Sequence, residues 1–296
     1  MSLDGYYINL DRSVARRTRI EKQIHALGLA SMIRRFAAVD GETAGPFDAA
    51  LKNGTWACRQ SHEKIIDGGD AESSTIILED DVEISQAFPD IVTNEAMQNF
   101  MEDEPTTDIV FLECGFAWRF LPLLLAKADS RMTWRSSPSG KDDSGRFNLS
   151  SVDILDARGI YSWSAAAYIV TPAGKRTLRS LFSTLRDQPD VPIDVLYKHW
   201  MDTGELEGKI LIPFLATPHS EISSTIDHAP SELVDPVPVE WISLFRRLLF
   251  AGDHRLNLTE LEAKMERYAA PLETSPEYRL GMRAYERFRT SVRPDL

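Results

Sequence analysis

The sequence predicts an α/β protein built on a mostly parallel sheet, and three observations carry that expectation. Apolar, β-branched runs of strand length recur as far as Pro218, among them STIILE at 74–79, TDIVFLEC at 107–114 and AAAYIV at 165–170. Between them lie stretches with helical spacing, opened by capping residues and closed by glycine. The two kinds of segment alternate, which is how parallel strands are connected.

Taken in order, GYYINL at 5–10 reads as a first strand. Ser13 then caps a helix whose Ile20, Ile24 and Leu27 share one face, with Gly28 closing it. MIRRFAAV at 32–39 is a second strand ending in the Asp40–Gly41 turn signal. Thr55 caps a helix through Ile66, stopped by Gly68 and Gly69. The strand STIILE follows, then a helix over Ile91–Phe100 and the strand at 107–114. Residues 129–150, rich in Ser, Gly and Asp, read as a long mobile loop. After AAAYIV, Thr171–Pro172 places a cap and a first-turn proline before a helix through Phe182. Pro192 opens another helix, and KILIPFLATP at 209–218 is the last strand. Beyond residue 226 strand signals vanish, while Trp241–Phe250 and Leu258–Tyr268 look helical. The expected division is therefore a main domain at 1–226 and a helical extension at 227–296.

Composition narrows the function. Hydrophobic content of 43% and charged content of 26% describe an ordinary globular chain. A net charge of −12 argues against nucleic acid as partner, because phosphate backbones want a basic surface. Two cysteines, Cys58 and Cys114, make neither a disulfide framework nor a zinc site by their pattern, which suits a reducing compartment. With no signal-peptide pattern and no run of about 20 apolar residues, the expectation is a cytoplasmic protein. The apolar run WISLFRRLLFA at 241–251 suits a peripheral contact, either with the inner face of a membrane or with a second subunit.

The strongest chemical signal is the end of the 74–79 strand, where Glu79, Asp80 and Asp81 follow one another. Like charges packed together are unfavourable unless water or a cation relieves them. In α/β sheets ligands bind beyond the carboxyl ends of strands, and carboxylate oxygens suit Mg²⁺ or Mn²⁺. A solvated acidic turn is the plainer alternative. A phosphate-accepting receiver domain also ends a strand in acidic residues, but there the pair closes the first strand. Here two strands precede it, and TDIVFLEC ends in Glu113 rather than Asp.

Several segments in series resemble glycosyltransferase family 25, the group of bacterial lipooligosaccharide galactosyltransferases. They are YYINLDRSVARR at 6–17, RRFAAVDG at 34–41, ACRQSHEKII at 57–66, IILEDDVEI at 76–84, TDIVFLECG at 107–115, SAAAYIVTPAGKRTL at 164–178, VPIDVLY at 191–197 and SEISSTI at 220–226. The resemblance implies a GT-A fold, a Rossmann-like mixed sheet flanked by helices. It also implies a UDP-sugar donor, a saccharide acceptor such as lipopolysaccharide, and a divalent metal, Mn²⁺ or Mg²⁺, on a DXD-like motif. Carried onto this chain, the metal falls to Asp81 first, with Glu79 and His219 as further ligands. Donor contacts fall to Asn9, Leu10, Arg12, Arg17, Asp40, Ser61, His62, Glu79 and Asp80. For an inverting transfer the base is Asp194, with Glu113 as its alternate. Each has a plainer reading as well: Arg16 and its neighbours as solvated helix residues, Ser61 and His62 as helix packing, Asp194 as a first-turn acid, His219 as a surface histidine.

The segment before AAAYIV departs from the family pattern, with Tyr161-Ser162-Trp163-Ser164 in place of a small pair. Trp163 is either a stacking wall for an acceptor sugar or core. Two other functions compete with transfer of galactose from UDP-galactose: a non-catalytic nucleotide-sugar binder, and a glycoside hydrolase with paired carboxylates, which would need neither nucleotide nor metal.

Overall fold

The computed structural model describes residues 2–48, 50–135, 146–149, 151–185, 191–219, 239–252 and 276–291. In chain order the first half holds β1 (Leu3–Asn9), α1 (Val14–Ala26), β2 (Ile33–Ala37), α2 (Ala50–Gly68), β3 (Ser74–Glu79) and β4 (Val82–Ile84). Then come α3 (Phe88–Ile91), α4 (Asn94–Asp103), β5 (Ile109–Phe111), β6 (Gly115–Phe116), α5 (Leu121–Arg131) and β7 (Met132–Arg135). The second half holds β8 (Arg146–Leu149), β9 (Asp153–Asp156), β10 (Tyr161–Trp163), β11 (Ala167–Val170), α6 (Pro172–Ser183) and α7 (Ile193–Thr203). It closes with β12 (Gly208–Ile212), β13 (Ala216–Pro218), α8 (Val239–Leu248) and α9 (Pro276–Ser291).

Seven strands form the central sheet in the order β2-β1-β3-β11-β5-β12-β9. β1 lies parallel to β2 and β3, and β12 parallel to β5. β11 runs antiparallel to both β3 and β5, and β9 antiparallel to β12. The sheet is the mixed one that the family resemblance implies, where the alternation of segments alone suggests a mostly parallel one. Five strands point the same way, and a reversed strand is wedged between β3 and β5. AAAYIV is apolar at every position, so its sequence could not reveal its direction: a strand buried on both faces reads the same either way.

Strand alternation sorts the core into two layers. Ile77, Phe111, Tyr168 and Ile210 point into one, together with Ile65 and Ile66 of α2, Leu178 of α6 and Trp200 of α7. Ile76, Leu78, Val110, Ile169 and Leu211 point into the other, with Ile20 and Ile24 of α1 and Met97 of α4. Ile76, Ile77 and Leu78 are each completely buried, and each contributes about 1.5–3 kcal/mol by leaving water. That buried stem fixes where the acidic end of β3 emerges.

Several boundaries differ from expectation. α2 starts at Ala50, not after Thr55, so Thr55 is not a cap. The helix expected over 91–100 is two, because Thr93 stops the first and caps the second, accepting from Ala96 N–H at 3.0 Å. KILIPFLATP is two strands, since Pro213 offers no amide to continue the ladder. Residues 129–150 are not wholly a loop: β7 and β8 pair as an antiparallel ladder from Met132↔Leu149 to Arg135↔Arg146. Thr171 caps α6 as expected, accepting from Gly174 N–H at 2.9 Å. The helix expected at 258–268 and the segment 220–226 lie outside the described residues.

The chain divides into two compact units, Met1–Asp253 and His254–Leu296. The boundary thus falls later than 226, and α8 belongs to the first unit. Phe214 N–H bonds to Leu249 C=O at 2.7 Å, and Leu249 and Phe250 are buried. The end of the apolar run, Leu249–Ala251, is thus part of the core, while Trp241, Leu244 and Phe245 are half-buried. Arg246 and Arg247 within it bond to Glu113 and Glu83. In the second unit α9 is the described element. Among the described residues no helix is long and apolar enough to cross a membrane.

Candidate active site

Strand direction decides which residues meet. β1, β3 and β5 end at the same edge of the sheet, and the reversed β11 begins there. Asn9, Glu79–Asp81, Glu113 and Ser164 are therefore brought together from four segments distant in sequence.

The three consecutive carboxylates of the β3 end have three different surroundings. Asp80 is buried and matched: Asn9 Nδ2 donates to it at 2.6 Å and Arg16 at 3.0 Å. Burial still raises its pKa against the pull of those two donors. Glu79 turns toward α2, with Oε1 lying 3.5 Å from His62 Nε2 and 3.9 Å from Cys58 Sγ. Burial is the largest single influence and works against its charge, but His62, Arg16 and Arg246 together outweigh it, and its pKa is lowered. Asp81 is the unmatched one. Its Oδ2 stands 3.7 Å from Arg16, its Oδ1 is buried with no hydrogen-bond partner among the described residues, and the side chain is 15% exposed. Burial, followed by the charge of Glu79, pushes its pKa up to about 7. The tip is thus not a solvated turn.

Beyond β5 the chemistry is different. Glu113 is completely buried, bonded to Arg246 of α8 and to the Ser164 hydroxyl at 2.6 Å. Arg246 also reaches that hydroxyl, at 2.9 Å, and its guanidinium lies 4.7 Å from the centre of the Trp163 ring. Trp163 packs so closely on Gly115 that a Cβ there would come within 2.4 Å of the indole, and its side chain is half-buried. Ser164 has φ of 86°, a left-handed conformation that non-glycine residues rarely hold. In that conformation its N–H donates to Asp194 Oδ2 at 3.1 Å. Asp194 is half-buried in the first turn of α7. The two candidate bases thus share one anchor, Ser164.

The remaining expected residues scatter. Asn9 is buried and bonded to Asp80, Ser13 and Arg35. Leu10 is half-buried at the end of β1. Arg12 is exposed and pairs with Asp40 and Glu42, and its hydrogen bond lowers the Asp40 pKa. Arg17 is half-buried on α1. Ser61 is buried, donating to Ala57 C=O and accepting from Val39 N–H, which ties α2 to the end of β2. His219 donates its backbone N–H to Asp81 C=O at 2.8 Å, directly beside the acidic tip. Arg16, expected to be solvated, is instead the cation bridging Asp80 and Asp81.

The family model described as glycosyltransferase family 25 (LPS biosynthesis protein) matches residues 3–197. The chain belongs to glycosyltransferase family 25. It is a glycosyltransferase with the mixed α/β sheet of that class, and its reaction joins a sugar donor to a saccharide acceptor. No curated protein matches the chain. The family 25 match covers every residue of the β3 and β5 ends but stops short of His219 and Arg246. Sequence reasoning missed Arg246, Arg16 and Cys58. The available signal for Arg246 was an arginine pair inside an apolar helix: a charge in such a place needs a buried acid as partner.

Proposed function

We propose that the chain is a metal-dependent, inverting hexosyltransferase that moves galactose from UDP-galactose onto a saccharide acceptor such as lipopolysaccharide. The observation that carries this reading is Asp81: a largely buried carboxylate with an unpartnered oxygen and a pKa near 7. Its positive neighbour Arg16 stands 3.7 Å away and is shared with Asp80, and Mn²⁺ or Mg²⁺ with the donor diphosphate would supply a closer one. Asp81 would hold the ion, with Glu79 and His219 as the adjoining candidates. Bound there, the cation would offset the charge that grows on the departing diphosphate.

The chain's own groups do the rest. Arg16 and Asn9 hold Asp80 and so fix the tip. Asp194, oriented by the Ser164 N–H, takes the proton of the acceptor hydroxyl. As that oxygen bonds to the anomeric carbon, the carbon's bond to the diphosphate breaks and the electron pair leaves with UDP. Glu113 suits this step less well, since it is sealed from solvent between Arg246 and Ser164.

The test is nucleotide release from a panel of UDP-, GDP- and CMP-sugars, with Mn²⁺ and saccharide acceptors, before and after chelation. UDP-galactose should be turned over, and chelator should stop it. Asp194→Asn should bind donor normally while transfer falls roughly 10²-fold or more. Full turnover in chelator would remove the metal from the reading, and equal loss of donor binding in Asp194→Asn would remove the base.

A further inference from the structure

The geometry points to a second ion site beside the acidic tip: Cys58, His62 and Glu79 form a pocket for a borderline-soft divalent cation of the Zn²⁺ class. Cys58 and His62 stand one helical turn apart on α2 and face the end of β3. One ligand atom from each of the three residues lies within 4.8 Å of the others. Two atoms held about 2.0–2.3 Å from one tetrahedral ion stand roughly 3.3–3.6 Å apart. The His62–Glu79 spacing of 3.5 Å fits that edge, and the Cys58–Glu79 spacing of 3.9 Å exceeds it by a few tenths.

The second observation is His62 itself. The ring is completely buried, and Nε2, aimed at Glu79 from 3.5 Å, has no hydrogen-bond partner among the described residues. The opposite nitrogen, Nδ1, is 2.7 Å from the Tyr168 hydroxyl, which is 3.0 Å from that of Tyr197. In the tautomer with Nδ1 donating to Tyr168, Nε2 offers a lone pair to an ion held against the Glu79 carboxylate; in the other, Nε2–H faces Glu79, and binding an ion exchanges the second for the first. Metal-bound histidines are held this way through their other nitrogen.

Nitrogen, sulfur and oxygen together favour Zn²⁺ or Co²⁺ over Mg²⁺ and Mn²⁺. Three protein ligands leave the fourth position open. The Cys58 thiol is kept protonated by burial and by Glu79, so loading releases its proton. The site stands whether or not the chain transfers galactose. If it fills, it draws Glu79 away from Asp81.

The full chain, freed of metal by chelation, is titrated with Co²⁺ and followed by absorbance and proton release. One equivalent should bind with a thiolate-to-cobalt charge-transfer band, and Zn²⁺ should displace it while Mg²⁺ does not. Cys58→Ser, close in size, should abolish the band, and Tyr168→Phe should weaken binding by about 10–100-fold. Absence of the band from the unaltered chain overturns the site. So does a band that persists in Cys58→Ser, which would move the thiolate to Cys114. The first criterion holds even if a variant fails to fold.

Discussion

The ends of β3 and β5 point the same way from one sheet, separated by the single strand β11, yet they treat their acids in opposite fashion. At β5, Glu113 is sealed in and matched by Arg246 and Ser164. At β3, Asp80 and Asp81 share the guanidinium of Arg16, Glu79 lies against His62, and an Asp81 oxygen has no hydrogen-bond partner among the described residues. A matched buried acid holds structure together. An unmatched one is tolerated at a cost in stability, and such groups cluster where chemistry is done. Burial alone does not separate the two ends; the count of positive partners does.

The contrast predicts opposite outcomes for removing each charge. Asp81→Asn should reduce UDP release from UDP-galactose by on the order of 10³-fold or more while leaving the protein at least as stable, read by a thermal melt beside the assay. Turnover within a few-fold of the parent would break the comparison at its β3 side. Glu113→Ala should do the reverse, destabilising the fold by about 3–5 kcal/mol because Arg246 is left buried without its acid. Replacing both with apolar residues of similar size, Glu113→Leu with Arg246→Met, should recover most of that loss in denaturant unfolding. If the single and double changes are equally unstable, the pair is not what holds α8.

A smaller effect sharpens the β3 side. The folded pKa of Asp81, about 7, lies above its value near 4 in an unfolded chain. The folded state thus favours the protonated form. This group's contribution to stability is complete below about pH 4 and is lost progressively as pH rises to about 7. Divalent-ion affinity should move the other way, rising toward pH 7 and levelling above it, since the ion needs the carboxylate. Calorimetric titration with Mn²⁺ across pH 5–8 tests this, and a flat profile would count against Asp81 as ligand.

The smallest effect belongs to the exposed pair Arg12–Asp40. Asp40 has a lowered pKa, so its stabilisation is present above about pH 4 and fades as pH falls through the depressed value. Water screens both partners, and Arg12→Ala should cost less than about 1 kcal/mol at neutral pH.

Much of this was legible before the fold was known. Apolar, β-branched runs located β1, β2 and β3, and side-chain capping located α6. The carboxyl-end rule singled out Glu79–Asp81, which the fold gathers with Asn9, Glu113 and Ser164. The direction of β11 was not legible, and it decides that Ser164 meets Glu113. Neither was Arg16, since an arginine on a helix surface gives no sign that a distant strand end will fold onto it. The run at 241–251 gave no sign that its last residues pack on Phe214, because apolar residues alone do not say which surface they cover.

Ser164 ties the two candidate bases by separate atoms, the amide to Asp194 and the hydroxyl to Glu113 and Arg246. Glycine at that position would keep the amide and relax the backbone, yet erase the hydroxyl. One substitution can therefore disconnect the reacting side of the cleft from its buried foundation without disturbing either acid, and show whether the helix brought in from beyond the family-matched stretch has any say in the speed of the reaction.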